Sequence, residues 1–398
     1  MATQTSGLAK SMALECVQSM YAEIHETATS INQVGIFSAN QAQGANSIQE
    51  RLNNVLEALE STFAAYGVLS SGQNWTGPQP AKRLAVFAKM LSWMLLSICL
   101  HSHAFLMAVM TYPDHVWRVL CLAITPNKLS LELFAKSRDL PWQAPLEVLH
   151  AAHKGLTSLA SNMKSTLTIN RIDHPHQWAL TLSGTASRLP YTNITSNIYH
   201  HSFFPRARPP YWPFLTYPID PMTRRSADRN CKICNSPYIC PCNPSSLPQL
   251  HIELREYSGK GIGVRSLQAI PAGTILGEYV GEIRHPHMCR GTIYSLEVPV
   301  ADDTDNRWVA AVDATRFGNW TRFMNHSCNP GAVFQLFSYG EKRRMLAITV
   351  RSIGVFEEIT CDYGDLYWHK DRLCRCGEPG CQFDTVEKIE ARMPSRRG

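Results

Sequence analysis

At 398 residues the chain exceeds what one hydrophobic core usually serves, so two domains are expected. Its formal net charge is only +6 and neither half carries a heavy excess of one sign, which excludes a protein that grips phosphate backbones through its overall field. The thirteen cysteines, an odd number, gather toward the C-terminus at C-x-C and C-x-x-C spacings, and no secretory signal pattern is present. Metal binding in a reducing compartment, nucleus or cytosol, fits them better than a disulfide scaffold, and the sequons at Asn193 and Asn319 are then chance matches.

Residues 1–165 read as a helical domain. Leu14, Val17, Tyr21 and Ile24 recur at helical spacing, as do Ile48, Leu52, Val55, Leu59 and Phe63, with Ser47 and Glu50 forming a capping-box pattern ahead of the second run. Met90 to Met110 holds no Asp, Glu, Lys or Arg over a length able to cross a bilayer. It also contains Ser92, Ser97, His101, Ser102 and His103, which hydrocarbon tolerates poorly. With the apolar run from Val116 to Thr125, broken by Arg118, it reads as the buried hairpin of a helical bundle rather than a membrane anchor. Leu146, Leu149, Leu156 and Leu159 add another helical stretch.

Residues 166–230 are expected to form a connector. Pro205, Pro209, Pro210, Pro213, Pro218 and Pro221 forbid a regular helix or central strand there. Tyr211, Trp212 and Arg206, Arg208, Arg224 and Arg225 lie between them, and a solvated, partly packed linker is favoured over a partner-docking segment. Cys231, Cys234, Cys240 and Cys242 follow within residues 231–249, spaced for a small four-thiolate knuckle that holds either one zinc or none.

From Leu250 the texture turns to short strands: His251 to Arg255, Gly261 to Leu267, Thr274 to Ile283, Trp308 to Val312, Val333 to Phe337 and Met345 to Val350, with turns at Pro271–Gly273 and Tyr339–Glu341. Residues 250–367 thus read as a compact, mainly β domain. Cys374, Cys376 and Cys381 lie in one tight turn within 368–384 and supply three thiolates where a closed zinc site wants four. Cys328 is the fourth candidate, and residues 385–398 remain as a tail.

Four motifs in order carry a resemblance: Gly259-Lys-Gly-Ile-Gly-Val264 leading into Gly277-Glu-Tyr-Val-Gly-Glu282, then Arg322-Phe-Met-Asn-His-Ser-Cys-Asn-Pro330, then Thr360-Cys-Asp-Tyr-Gly364, then Cys374-Arg-Cys-Gly-Glu-Pro-Gly-Cys381. Over residues 250–384 the chain resembles the SET-domain protein-lysine methyltransferases with a post-SET zinc loop. The resemblance implies an α+β multidomain chain whose mainly β SET fold has a knot-like core, with residues 231–249 a pre-SET-like segment. It implies an enzyme that transfers methyl groups from S-adenosylmethionine to a lysine of a protein, foremost a histone tail, and acts in the nucleus. Nucleosome contact would then rest on local patches such as Lys342-Arg343-Arg344.

In such a protein Tyr363 would be the catalytic tyrosine and Tyr294 would line the lysine channel. Cofactor binding would fall to Gly261, Ile262, Gly263, Arg322, Phe323, Asn325, His326 and Tyr363, with Phe383 as an aromatic lid. The two glycines are expected to admit a ligand close to the backbone. Three positions depart from the family. Cys361 replaces the usual Phe or Tyr that tunes product state, a smaller group that hints at higher methylation; Gly331 replaces Asn, and Ile262 replaces an aromatic residue. The alternative is a SET-derived scaffold or chromatin-binding module that has lost catalysis.

Overall fold

The computed structural model describes residues 2–36, 79–140, 142, 178–181, 191–208, 217, 219–225, 228–242, 250–289, 292–299, 308–369 and 371–392. The expected helical runs at 48–63 and 146–159 lie outside these residues, as do Pro209 to Pro213 with Tyr211 and Trp212. The chain divides into two compact units, Met1–Arg171 with Pro175–Thr181, and Ile172–His174 with Leu182–Gly398.

Among the described residues the first unit is helical apart from strand β1 (Trp178–Thr181): α1 (Ala2–Ile36), α2 (Gln79–Met90), α3 (Trp93–Cys99), α4 (His103–Thr111), α5 (Asp114–Ile124) and α6 (Lys128–Lys136). Helix α1 lies along α4 and α5 and buries Val17, Met20, Tyr21 and Ile24, one stripe at helical spacing. The apolar stretch from Met90 to Met110 is not one rod. Ser92 Oγ accepts from the Leu95 amide at 3.0 Å and Ser102 Oγ from the Phe105 amide at 3.1 Å, so each serine caps a short helix. Ser102 in turn donates to Glu23 at 2.6 Å. Two of the polar groups that argued against a bilayer, Ser92 and Ser102, therefore serve as helix caps, and no helix among the described residues is long and apolar enough to cross a membrane.

The second unit is mainly β. Strands β4 (Ile252–Tyr257) and β5 (Gly261–Ser266) form a hairpin, β14 (Glu358–Cys361) pairs antiparallel with β5, and β11 (Asn325–His326) runs parallel to β14. A second sheet joins the hairpin β12 (Ala332–Tyr339) and β13 (Lys342–Thr349) to β6 (Ile275–Glu278). A third runs in the order β3 (Ile198–Tyr199), β7 (Glu282–Arg284), β9 (Trp308–Asp313), β8 (Ser295–Pro299). The expected single strand from Thr274 to Ile283 is two, β6 and β7. At Gly281, between them, a side-chain carbon would stand 2.5 Å from the Asp313 carbonyl oxygen, so the chain turns there against β9. Strand β10 (Phe317–Gly318) lies parallel to β2 (Thr192–Asn193).

Of the stretch expected as a connector over 166–230, Trp178–Thr181 lies in the first unit, whereas the described part from residue 191 onward belongs to this unit. It supplies β2 and β3, and it buries Phe204 and Met222 in the same core as Tyr279, Ile283, Val298, Val312, Leu336 and Met345. Proline density forbade helix and central strand but left room for short edge pairings. Arg224, only 2 % exposed, donates to the carbonyls of Tyr238 (2.8 Å), Ser236 (2.8 Å), Arg229 (3.2 Å) and Gly340 (3.3 Å). It thereby pins the Cys231–Cys242 segment to the β12–β13 turn.

The run Lys342-Arg343-Arg344 is not the free basic patch expected from sequence. Arg343 is 2 % exposed and donates to the Pro221 and Pro299 carbonyls, Arg344 pairs with Glu278 at 2.6 Å, and Lys342 pairs with Asp220 at 3.0 Å. Alternation along β13 points the middle residue inward, where its guanidinium meets backbone oxygens and the buried Asp228 carboxylate, 3.8 Å away.

Candidate active site

The pairing of β11 with β14 sets Asn325 beside Thr360 and His326 beside Cys361, which brings the Asn-His and Cys-Asp-Tyr motifs together. The Ser327 amide continues the ladder to the Cys361 carbonyl at 3.0 Å. Beyond β14, the Tyr363 amide donates to His326 Nδ1 at 3.2 Å. That bond makes Nδ1 the acceptor nitrogen, so Nε2 carries the hydrogen and points it at Cys328 Sγ, 3.3 Å away. Burial holds the His326 ring below its ordinary pKa, which keeps it in this neutral form.

Tyr363 donates its hydroxyl hydrogen to the Met324 carbonyl at 2.9 Å, leaving the lone pairs of the oxygen directed elsewhere. Burial pushes this phenol well above its ordinary range, so it stays neutral at physiological pH. Cys361 is 1 % exposed and its thiol points at the same carbonyl, 3.6 Å away. The position that departs from the family thus lies against the atom that anchors the tyrosine. Around Tyr363 stand the rings of Tyr367 (centroids 4.6 Å apart) and Trp368 (6.3 Å). Trp368 stacks on Phe383 at 5.4 Å and 15° and meets the edge of His326 at 4.7 Å. Phe383, expected as a lid, is 3 % exposed within this aromatic group, and Trp368 is a partner that sequence reading missed because no motif surrounds it.

Tyr294 stands in a different aromatic set. Its carbonyl accepts from the Tyr279 hydroxyl at 2.9 Å and from the Ala314 amide at 2.8 Å, which fixes its backbone. The Arg322 guanidinium lies 3.6 Å from the Tyr294 ring centroid and 4.8 Å from those of Tyr191 and Phe323, and its Nε donates to the Ala314 carbonyl at 2.8 Å. Arg322 and Phe323, expected to touch the cofactor, are 6 % and 4 % exposed, and the described contacts of Arg322 are with these rings and backbone oxygens. This geometry holds the Tyr294 ring in place through cation–π contact.

Gly261 and Gly263 differ in what they do. Gly261 has φ +81° and open space where a side chain would begin. At Gly263 a side-chain carbon would stand 2.5 Å from Asn325 Nδ2, 2.7 Å from Glu358 Oε1 and 2.8 Å from the Tyr257 ring. The space where a Gly263 side chain would begin is filled by Asn325, Glu358 and the Tyr257 ring. Ile262 lies half-buried between them in β5. Gly263→Ala is therefore expected to force β5, β11 and β14 apart and cost about 1–3 kcal/mol of stability. Thermal unfolding of the variant checks this; an unchanged midpoint would contradict the packing described.

The sulfur atoms of Cys328, Cys374, Cys376 and Cys381 all lie within 4.8 Å of one another, with Cys328 and Cys381 3.8 Å apart. Four thiolates around one zinc at ~2.3 Å place their sulfurs about 3.8 Å apart, so the set fits that ion. Two sulfurs also accept backbone hydrogens, Cys328 from Gln382 and Cys374 from Cys376, each at 3.3 Å. Burial and the neighbouring sulfurs push the Cys328 thiol up to about 11. Four thiolates gathered here therefore call for a cation. Cys231, Cys234, Cys240 and Cys242 likewise lie within 4.8 Å of one another, with Cys234 and Cys240 sulfurs 3.5 Å apart. This knuckle fits a metal equally well but is the more exposed of the two.

The SET domain family model matches residues 261–364. The histone-lysine N-methyltransferase, H3 lysine-36 specific, of Cryptococcus neoformans is 36 % identical over 130 residues, covering 31 % of this chain and 15 % of that protein. A SET domain-containing protein of Phaeosphaeria nodorum is 29 % identical over 243 residues, covering 53 % and 37 %. Human histone-lysine N-methyltransferase EHMT1 is 36 % identical over 150 residues, covering 34 % and 11 %. This chain thus spans well under half the length of each of these relatives. Among solved structures, Arabidopsis thaliana SUVH6 in complex with SAM is 21 % identical, with a TM-score of 0.36 and coverage of 52 % of both chains. The match to the SET domain family model begins at the first glycine of β5 and ends just past Tyr363, enclosing the Asn325–His326 and Cys361–Tyr363 junction.

Proposed function

We propose that the chain transfers a methyl group from S-adenosylmethionine to the side chain of a lysine in a protein, foremost a histone tail, and works in the nucleus. The observation that carries this reading is the junction of β11 and β14, where the neutral Tyr363 phenol, the Asn325–His326 pair and the Trp368–Phe383 stack meet beside a four-thiolate cluster. The names of the Cryptococcus neoformans and human relatives support the substrate class.

A protonated lysine, with a pKa near ~10.4, has no lone pair to attack with. An aromatic-walled channel favours the neutral amine by stripping water from it. Tyr363 and Tyr294 are proposed to form part of such a wall, and the Tyr363 oxygen, its hydrogen held by Met324, offers lone pairs to position the amine. When bound, S-adenosylmethionine supplies the sulfonium methyl group. Asn325, His326 and the backbone at Gly261 to Gly263 are proposed to hold it, with Phe383 covering the cleft. Zinc at Cys328, Cys374, Cys376 and Cys381 would cross-link the C-terminal turn to the strand junction, and a second zinc is proposed for the knuckle.

The test is transfer from labelled S-adenosylmethionine to core histones, nucleosomes and a cell lysate, with products read by mass spectrometry. Methyl-lysine on one of these pools is the expected result. A folded, zinc-loaded chain that modifies nothing and does not bind the methyl donor would instead favour a scaffold, whereas retained binding would point to a substrate outside these pools.

A further inference from the structure

Glu358 belongs to no motif recognised in the sequence, yet it touches the part of the site where the cofactor is proposed to lie. Its Oε1 accepts from Asn325 Nδ2 at 2.8 Å and its Oε2 pairs with Lys260 Nζ at 3.0 Å. Both charged side chains are largely shielded, at 14 % exposure for Glu358 and 20 % for Lys260. A carboxylate only accepts hydrogen bonds, so the edge of Asn325 facing it must be the NH2 edge, and Oδ1 is turned to the opposite side as an acceptor. The arrangement is over-determined. Strands β5, β14 and β11 bring Gly263, Glu358 and Asn325 together, and the space that a side chain at Gly263 would need is taken by the Asn325–Glu358 pair.

From this we infer that Glu358, clamped by Lys260, is a positioning residue that fixes the Asn325 amide with its oxygen toward the ammonium group of the methyl donor's amino-acid portion. The inference rests on the methyl-transfer reading above. An ammonium has donors only, and an amide flipped by half a turn would meet it with two further donors. Glu358 also neutralises Lys260, whose charge would otherwise repel an ammonium bound at Asn325. Without the carboxylate, the amide loses its orientation and Lys260 loses its counter-charge.

The experiment is calorimetric binding to the full chain of S-adenosylmethionine, S-adenosylhomocysteine and 5′-methylthioadenosine, the last lacking the amino-acid portion. Glu358→Leu should weaken the first two by about 10- to 100-fold, the range for a lost hydrogen bond to a charged group, and leave methylthioadenosine within about two-fold. Glu358→Gln, whose side-chain oxygen still accepts from Asn325 but no longer offsets the Lys260 charge, should recover only the part of the loss that comes from the amide's orientation. Equal weakening of all three ligands, or no weakening of any, overturns the positioning role while leaving methyl transfer intact. A parent chain that binds none of the three overturns both readings together.

Discussion

Cys328→Ser is expected to abolish methyl transfer by releasing one metal ion. Cys328 is the member of the cluster that lies far in sequence from the other three, and its sulfur also faces the Nε2 hydrogen of His326 and the Gln382 amide. Removing it opens the link between the strand junction and the turn that carries Phe383. Loss of an outer partner of a metal ligand alone costs roughly 10- to 100-fold in affinity or activity, and loss of a ligand should exceed that. Metal analysis should show one zinc fewer per chain. Hydrogen exchange should rise across Trp368 to Phe383, where the Cys374 amide bonds the Phe383 carbonyl at 2.8 Å, while the β12–β13 hairpin stays protected. Full zinc content in the variant would refute the ligand set. Loss of zinc with activity retained would separate the metal from the site.

Tyr363→Phe should leave the fold and the cofactor affinity in place and reduce transfer by about 100-fold or more, the size seen when one preorganised polar group is removed from an active site. The ring is held by packing against Tyr367 and Trp368, contacts that phenylalanine keeps. What disappears is the oxygen whose hydrogen is fixed on Met324. Because burial keeps this phenol neutral, the loss should be the same at pH 7 and pH 9, which a general base titrating in that range would not give. Single-turnover rates at saturating cofactor measure it. A fall confined to KM would reassign Tyr363 to binding.

Much of the mainly β unit was legible because its signals are local. Alternation marked β4, a strand-like stretch marked β5, short apolar runs marked β9, β12 and β13, and turn residues marked the hairpin at Gly340, where φ is +53°. Seven of the eight thiols stood out by spacing and Cys328 by the need of the three-thiolate turn for a fourth ligand, and the structure groups them as two sets of four. The short strands β2, β3 and β10 were not legible, since two residues carry no period and a proline-rich surround argues against any strand.

By itself the sequence determined which chemistry this chain carries: two four-thiolate sets, an Asn-His pair, and a tyrosine in an Asp-Tyr-Gly stretch. Only the tertiary structure decided how those groups are held. Glu358 reaches Asn325 across 33 positions and Lys260 across 98, and Arg343 donates to a carbonyl 122 positions away. The space at Gly263 is filled by side chains from three other strands, so its use is set by their approach. Spacing along the chain encodes what one turn or one strand can do, whereas the direction of an amide, the burial of a guanidinium and the pairing of a carboxylate depend on which distant backbone packs against them.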